Sequence, residues 1–318
     1  MRMKISPSSR LHVSGGKTGA PPACDRPVTR AGGRACSLGR PHSQHPAIVL
    51  WHIALMTKSM MTQQTAILQS LRNDPALTGL RRSLDVYYGD VAREAAMDSL
   101  YERFVKKGDL AFDVGSHVGD RIGAFRRLGA RVVALEPQPD CVRVIRAIYG
   151  HDRDVKLMEA ACGPQPGRLT LHINSANPTV TTASPEFVHA AHGAGGWEGQ
   201  VWDRSIEVPV TTLDDLIAAN GLPSFVKIDV EGFEADVLAG LTHKVPALSF
   251  EFTTIQRDVA YRSLEVIAAL GGAYRFNVAL GESQVMTFEE PINAAAMATH
   301  IAGLPHAANS GDVYALLD

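Results

Sequence analysis

Residues 112–120 read FDVGSHVGD. The apolar stretch LAF leads into Asp113, the chain turns through Gly115, and a helix-forming segment, DRIGAFRRLG (120–129), begins just past Gly119. Glycines let a backbone pass close to a ligand, and the start of a helix exposes unpaired N–H groups. Working outward, RVVALEP (131–137) predicts a second strand, PDCVRVIRAIYG (139–150) a second helix and VKLMEAACG (155–163) a third strand. Short buried strands alternating with helices of ten to twelve residues indicate βαβ units, hence a mostly parallel sheet with helices on both faces.

The rhythm continues after an interruption. RLTLHI (168–173) alternates like a strand, but residues 174–205 carry little periodicity and are rich in Thr, Ser, Gly and His. A stretch of that length inside a compact domain predicts a lid or an insertion. Next come SIEVPVTT and LDDLIAANG, a strand and a short helix capped by Thr212 or Asp214. SFVKIDV, EGFEADVLAGL, ALSFEF and VAYRSLEVIAALGG then give strand, helix, strand and helix. AYRFNVAL and DVYALLD predict two closing strands, paired as an antiparallel hairpin. Upstream, helical spacing predicts helices over 63–72 and 91–106, the second ended near Gly108.

Composition fits one good-sized soluble core, with 45% apolar and 20% charged residues in 318. The longest apolar run, AIVLWHIALM (47–56), is ten residues long, too short to span a bilayer. The net charge of −2 conceals an asymmetry: residues 1–60 carry nine basic residues and one acid, the remainder 22 basic and 32 acidic. An acidic body argues against nucleic acid as a partner. Residues 1–60 are expected to be a basic, disordered leader or translated upstream sequence, with Met56, Met60 or Met61 as the natural start. Residues 61–107 are expected to form N-terminal helices and 108–318 the main domain, with its lid at about 174–205. The four cysteines, Cys24, Cys36, Cys141 and Cys162, form no CxxC pair, so neither a disulfide framework nor a zinc site is indicated. Without an export signal the expected compartment is the cytoplasm, with no membrane partner.

Glu136 ends the second strand, 21 residues past Gly115. In a doubly wound sheet an acid at that position holds ribose hydroxyls, so the pair of features indicates an adenosine-containing cofactor. The turn is G-x-x-x-G (Gly115, Gly119), without the second glycine that a pyrophosphate needs. Asp113, just before the turn, is placed to face a cation or amino group. A ribose with a cationic, amino-acid-like arm fits this better than NAD, and S-adenosylmethionine is such a molecule; an NAD dehydrogenase is the weaker reading.

FDVGSHVGD, ALEPQPDCVRVI, EAACGPQPGRLTL, VPVTTLDDLI, FVKIDVEGFEADVLAGL and GDVYALL together resemble the FkbM family of S-adenosylmethionine-dependent methyltransferases, in the family's order over about residues 105–318. The resemblance implies a class I, Rossmann-like α/β fold: a seven-stranded, mostly parallel sheet with helices on both faces and an antiparallel last strand. It implies O-methylation of a hydroxyl on a small molecule, sugar or secondary metabolite. The alternatives are a catalytically inactive cofactor-binding partner protein and an N-methyltransferase. Asp113, Gly115 and Gly119 would form the methionine-side pocket, and Glu136, followed by Pro137, the ribose clamp. Glu159 and Ala160 would lie near adenine. Ser116 and His117 stand where the family usually has a small residue and an amide, and His117 reads as a helix-start residue rather than a base.

KIDVEGFE (227–234) follows the apolar SFV and crowds three carboxylates beside a lysine. Lys227 and Asp229 alternate along a strand and share a face. Methyl transfer needs an aligned nucleophile and, for an alcohol, removal of a proton. Asp229 is the candidate base or substrate orienter, kept ionised by Lys227. Glu231 stands at the boundary with the next helix, and Glu234 in its first turn, where a carboxylate offsets the helix dipole. Glu251 would complete an acidic cluster with Asp229 and Glu231, the set to hold Mg²⁺ or Mn²⁺ if the enzyme were metal-dependent; no metal is the favoured reading. In the insertion, Trp197 and Trp202 are candidates to stack on a substrate ring, and His189 and His192 to act as acid or base.

Overall fold

The computed structural model describes residues 63–318; the expected leader and its alternative start sites lie outside the described residues. After α1 (63–72) come α2 (Arg81–Tyr87) and α3 (Val91–Tyr101), the last capped by the Asp90 carboxylate, which accepts from the N–H groups of Ala92 and Arg93. Helix α3 is shorter than the periodicity predicts, ending at Tyr101 well before Gly108. Leu68, Leu71, Leu80, Leu84, Met97 and Leu100 pack in one apolar cluster with residues of the sheet, so the N-terminal helices have no separate core.

The alternation then unrolls as β1 (Leu110–Val114), α4 (Asp120–Arg127), β2 (Arg131–Leu135), α5 (Pro139–Tyr149) and β3 (Val155–Met158). Strand β1 is buried at every position, as a central parallel strand must be. The third strand predicted from VKLMEAACG is two strands. The chain leaves the main sheet after Met158, and β4 (Ala161–Cys162) pairs in a second sheet with β6 (Arg204–Thr211), itself antiparallel to β5 (Gly167–Ile173). Thr212 caps α7 (Leu213–Asn220) in a reciprocal capping box with Asp215.

Strand β7 (Phe225–Ile228), α8 (Glu234–Ala239), β8 (Ala247–Thr253), α9 (Arg257–Ala269), β9 (Tyr274–Leu280), α10 (Ala294–Gly303) and β10 (Ser310–Leu317) complete the domain. The seven-stranded order is β3-β2-β1-β7-β8-β10-β9, with β10 antiparallel to both neighbours and the other pairings parallel. This is the expected sheet with its antiparallel last strand. The last two strands pair as expected but do not form a tight hairpin: α10, in a segment for which no element is predicted, lies between them. The insertion is also more ordered than its composition suggests, since Pro185–Ala191 forms helix α6, capped by Ser184. No helix among the described residues is long and apolar enough to cross a membrane.

The register places the chemistry. Asp113 of β1 lies beside Lys227 of β7, which lies beside Ser249 of β8, which faces Tyr314 of β10. Two residues further along the same face stand Asp229, Glu251 and, from β10, Asp312, the last two being register partners. Below and beside Lys227 the face is aromatic: Phe104 stacks on Phe225 and Tyr314, and Tyr101 and Phe125 pack against them edge-on or tilted. Charge on that face is therefore confined to the carboxyl ends of the strands, at the switch point where β1 gives way to β7.

A candidate active site at the β1–β7 switch point

Gly115 turns the chain out of β1 with φ +82°, and a Cβ there would stand 1.8 Å from the carbonyl oxygen of Asp229. Only glycine permits this contact, so the β1 turn and the end of β7 touch. The left-handed backbone of His117 (φ 48°) aims its N–H at Oε2 of Glu136, at 2.7 Å, and the N–H of Gln138 donates to Oε1 at 2.9 Å. Glu136 is thereby fixed at the end of β2. Burial pushes its carboxyl up to about 8, against those two donors. Asp113 is 1% exposed, its Oδ2 has no partner, and burial raises it to about 7. Ser116 Oγ donates to the Asp113 carbonyl at 2.8 Å, closing the turn. The His117 ring lies between Cys141 and Thr179, and burial depresses it to about 4, leaving it neutral.

At the end of β7, Lys227 is 1% exposed and its Nζ donates to Asp229 Oδ2 at 3.1 Å and to Asp312 Oδ1 at 2.7 Å. Burial pushes the Asp229 carboxyl up, but the charges of Lys227 and Arg121 outweigh it and hold the group below the ordinary carboxylate range. Glu231 and Glu251 move the other way: burial first, then the negative charge of Asp229, raises both well above it. Asp229, Glu231 and Glu251 bring one carboxylate oxygen each within 4.8 Å of one another, a set able to share protons or to ligate a divalent cation. Glu234 plays a different part. Its carboxylate accepts from the N–H groups of Val230 and Gly232, which fixes the loop between β7 and α8.

Asp113, Glu136, Lys227, Asp229, Glu231, Glu251 and Ala160 are among the residues that line one cleft, with Pro137 beside Glu136. Six sequence candidates are not on it. Gly119, the left-handed N-cap residue of α4, faces Tyr149, Ile122 and Ile145 instead. Glu159 is half exposed and pairs with Arg146, because its position is where the chain swings between sheets. Trp197 and Trp202 pack edge-on against Phe187, and the Trp202 indole donates to the Val180 carbonyl. They form the insertion's own small core, so their rings face inward. His189 and His192 lie exposed on and just after α6. The insertion instead reaches the cleft through Pro178, Thr179, Thr181 and Ala183, and Thr182 Oγ1 ties it to the Glu231 carbonyl at 2.6 Å.

The structure adds residues that the sequence reading did not single out. Asp312 lies in the quoted GDVYALL, but only the antiparallel return of β10 brings it to Lys227. Arg121, one residue into α4, and Tyr87, from the N-terminal helices, line the cleft; so does Glu282, after β9. The position of Arg121 right after the glycine turn was the available signal for it.

The sheet order, the glycine turn at β1 and the acids ending β2 and β7 define a class I, Rossmann-like methyltransferase fold. Residues 113–274 match the methyltransferase FkbM domain, and the chain belongs to that family. Over 157 residues it is 27% identical to the hexuronic acid methyltransferase AglP of Haloferax volcanii, a match covering 48% of this chain and 59% of that protein. Among solved structures, it is similar to an O-methyltransferase from Bacillus cereus in complex with SAH (11% identity, TM-score 0.41, 81% of this chain and 91% of that one). It is also similar to the precorrin-6y C5,15-methyltransferase of Geobacter metallireducens GS-15 (16% identity, TM-score 0.37, 71% and 86%).

Proposed function

We propose that the protein is an S-adenosylmethionine-dependent O-methyltransferase whose acceptor is a hydroxylated small molecule or glycan. One observation carries this reading: the contact between Gly115 and the Asp229 backbone makes the ribose-type acid Glu136 and the ionised Asp229 open on the same cleft. The residues present fit the cofactor. Glu136 offers acceptor oxygens for two hydroxyls, and the unpartnered Oδ2 of Asp113 faces the position of an amino group or cation. S-adenosylmethionine, when bound, supplies a methyl carbon on a cationic sulfur.

This chain's own residues do the rest. Asp229, ionised beside Lys227, orients an acceptor hydroxyl and takes its proton. Burial and the charge of Asp229 shift Glu231 and Glu251 toward the protonated form, in which each donates a hydrogen bond to the acceptor's oxygens. Lys227 and Arg121 already keep Asp229 charged, so the reading does not call for Mg²⁺ or Mn²⁺ to activate the hydroxyl. The relative's acceptor, a hexuronic acid, makes sugar acids the first class to try.

The test is calorimetry with S-adenosylmethionine and S-adenosylhomocysteine beside a labelled-methyl transfer assay on hexuronic acids, hexoses and hydroxylated metabolites. Binding with an alkali-stable O-methyl ether product supports the reading, whereas an alkali-labile methyl ester would place the transfer on a carboxylate and overturn the hydroxyl acceptor. Binding without turnover on any acceptor favours an inactive cofactor-binding partner, and an N-methyl product favours the N-methyltransferase alternative. Absence of binding removes it.

A further inference from the structure

Beside the methyl-transfer end of the cleft is an ion cluster that the proposed chemistry leaves unused. Asp120, at the start of α4, accepts from Arg93 at 3.1 Å and from Arg121 at 2.7 Å. Glu282, on the loop after β9, accepts from Arg93 at 2.7 Å, and lies 3.4 Å from Arg121 through each of its oxygens. The guanidinium of Arg93 also lies over the ring of Tyr87, 4.6 Å from its centroid. The two arginines and Asp120 are about nine-tenths buried, whereas the side chain of Glu282 is 46% exposed.

Three features mark this as a receptor rather than a closed structural network. First, the Nε atoms of Arg93 and Arg121 are both buried and have no partner, an expensive state for a charged donor. Second, Lys227 and Arg121 are the basic side chains among the described residues lining the cleft, and Lys227 is held by Asp229 and Asp312. Arg121 gives one terminal nitrogen to Asp120, and the other, which meets Glu282 only at 3.4 Å, is the donor left to meet an anion there. Third, with Asp120 alone the arginine pair keeps one net positive charge, and the group that neutralises it is half-exposed, on a loop, and at the long end of contact with Arg121. Its one further partner, Gln284, lies two residues away on the same loop. A half-exposed ion pair of that kind contributes little, so a better-placed carboxylate can replace it.

We propose that Arg121, backed by Arg93, receives the carboxylate of a bound small molecule, and that Glu282 is the internal stand-in which that carboxylate displaces. The proposal rests on the cleft being the cofactor and acceptor site. Two ligands of that site can bring a carboxylate: the amino-acid arm of the cofactor, or an acidic acceptor. A guanidinium presenting a free Nε–H beside its terminal nitrogens offers a planar, two-point grip that suits either.

Glu282→Gln and Arg121→Gln, singly and combined, separate the cases by calorimetry. The first arm compares S-adenosylhomocysteine with its analogue lacking the α-carboxylate. The second compares glucuronate with glucose on protein saturated with S-adenosylhomocysteine. In whichever arm the carboxylate docks, Glu282→Gln strengthens the acidic ligand about two- to fivefold and leaves the analogue unchanged. Arg121→Gln weakens the acidic ligand roughly ten- to hundredfold. The gain from Glu282→Gln vanishes when Arg121→Gln is also present, which separates docking on Arg121 from a diffuse change in charge. An unchanged preference for the carboxylate in both arms of Glu282→Gln, with wild-type binding intact, overturns the proposal. If the wild-type protein binds no S-adenosylhomocysteine, the cofactor reading fails and takes the proposal with it.

Discussion

The ammonium of Lys227 donates to Asp312 at 2.7 Å across 85 residues of sequence, with the lysine side chain 1% exposed. A lysine so deeply placed is tolerable only with its charge matched, and Asp229 supplies the second acceptor. Lys227→Met leaves Asp229 and Asp312 side by side with no cation between them. Breaking a buried pair by removing one partner costs about 3–5 kcal/mol, and denaturant unfolding of Lys227→Met is expected to show a loss of that order. Asp312→Asn, which leaves Lys227 paired with Asp229, is expected to cost less. Equal losses in the two variants would show that Asp229 does not compensate the lysine.

Much of this site was legible in the sequence because each of its main parts is local. Gly115, Glu136 and Asp229 all follow an apolar strand directly, and a parallel sheet gathers such strand ends on one edge. Asp312 was not legible as a partner of Lys227, because nothing in GDVYALL says that its strand enters antiparallel between β8 and β9. Tyr87 and Arg93 belong to helices before the first strand, and tertiary packing alone brings Tyr87 to the cleft and Arg93 onto Asp120 behind Arg121. Trp197 and Trp202 mislead for the opposite reason. Aromatic residues in an irregular stretch suggest a stacking platform, but the insertion has few other large apolar groups and buries these two on Phe187 to hold itself together.

Asp229→Asn retains the shape of the side chain and removes its charge. If Asp229 takes the acceptor's proton, kcat falls by about 10²–10⁴-fold, the usual worth of a positioned general base. The affinity for S-adenosylhomocysteine is expected to stay nearly constant, since Glu136 and Asp113 are untouched. The pH profile is informative as well: with Asp229 held below the ordinary carboxylate range, wild-type kcat should show no acid limb of its own near neutrality. A variant with full kcat would remove Asp229 from the proton-transfer role.

Gly115→Ala tests the contact that joins the two halves of the site. The new methyl would need a left-handed backbone at φ +82° and would meet the Asp229 carbonyl at 1.8 Å. Left-handed strain of about 1–2 kcal/mol and overpacking of about 1–3 kcal/mol add in the same direction. The expected outcome is a fall in stability of a few kcal/mol together with weakened S-adenosylhomocysteine binding, measured by thermal unfolding and calorimetry. Gly108→Ala provides the comparison: its φ is also positive, at +90°, but nothing lies within 4 Å of its added carbon, so strain without collision should cost less and spare binding.

Glu136 and Asp113 give the ligand-free protein a definite pH dependence. Burial raises Glu136 from 4.5 to about 8 and Asp113 from 3.8 to about 7, so between those limits the folded state binds more protons than the unfolded one. Stability from these two groups is therefore fully present below their unfolded values and is lost as pH rises through about 7 to 8. Unfolding midpoints should fall between about pH 4 and pH 8 and level off above, and Glu136→Gln should flatten the fall. A bound ribose and a cationic arm favour the ionised carboxylates and lower both values. Cofactor binding near pH 7 is then expected to release protons, seen as a dependence of the calorimetric enthalpy on the ionisation heat of the buffer. Glu136→Gln should release fewer, and an unchanged release would place the proton on another group.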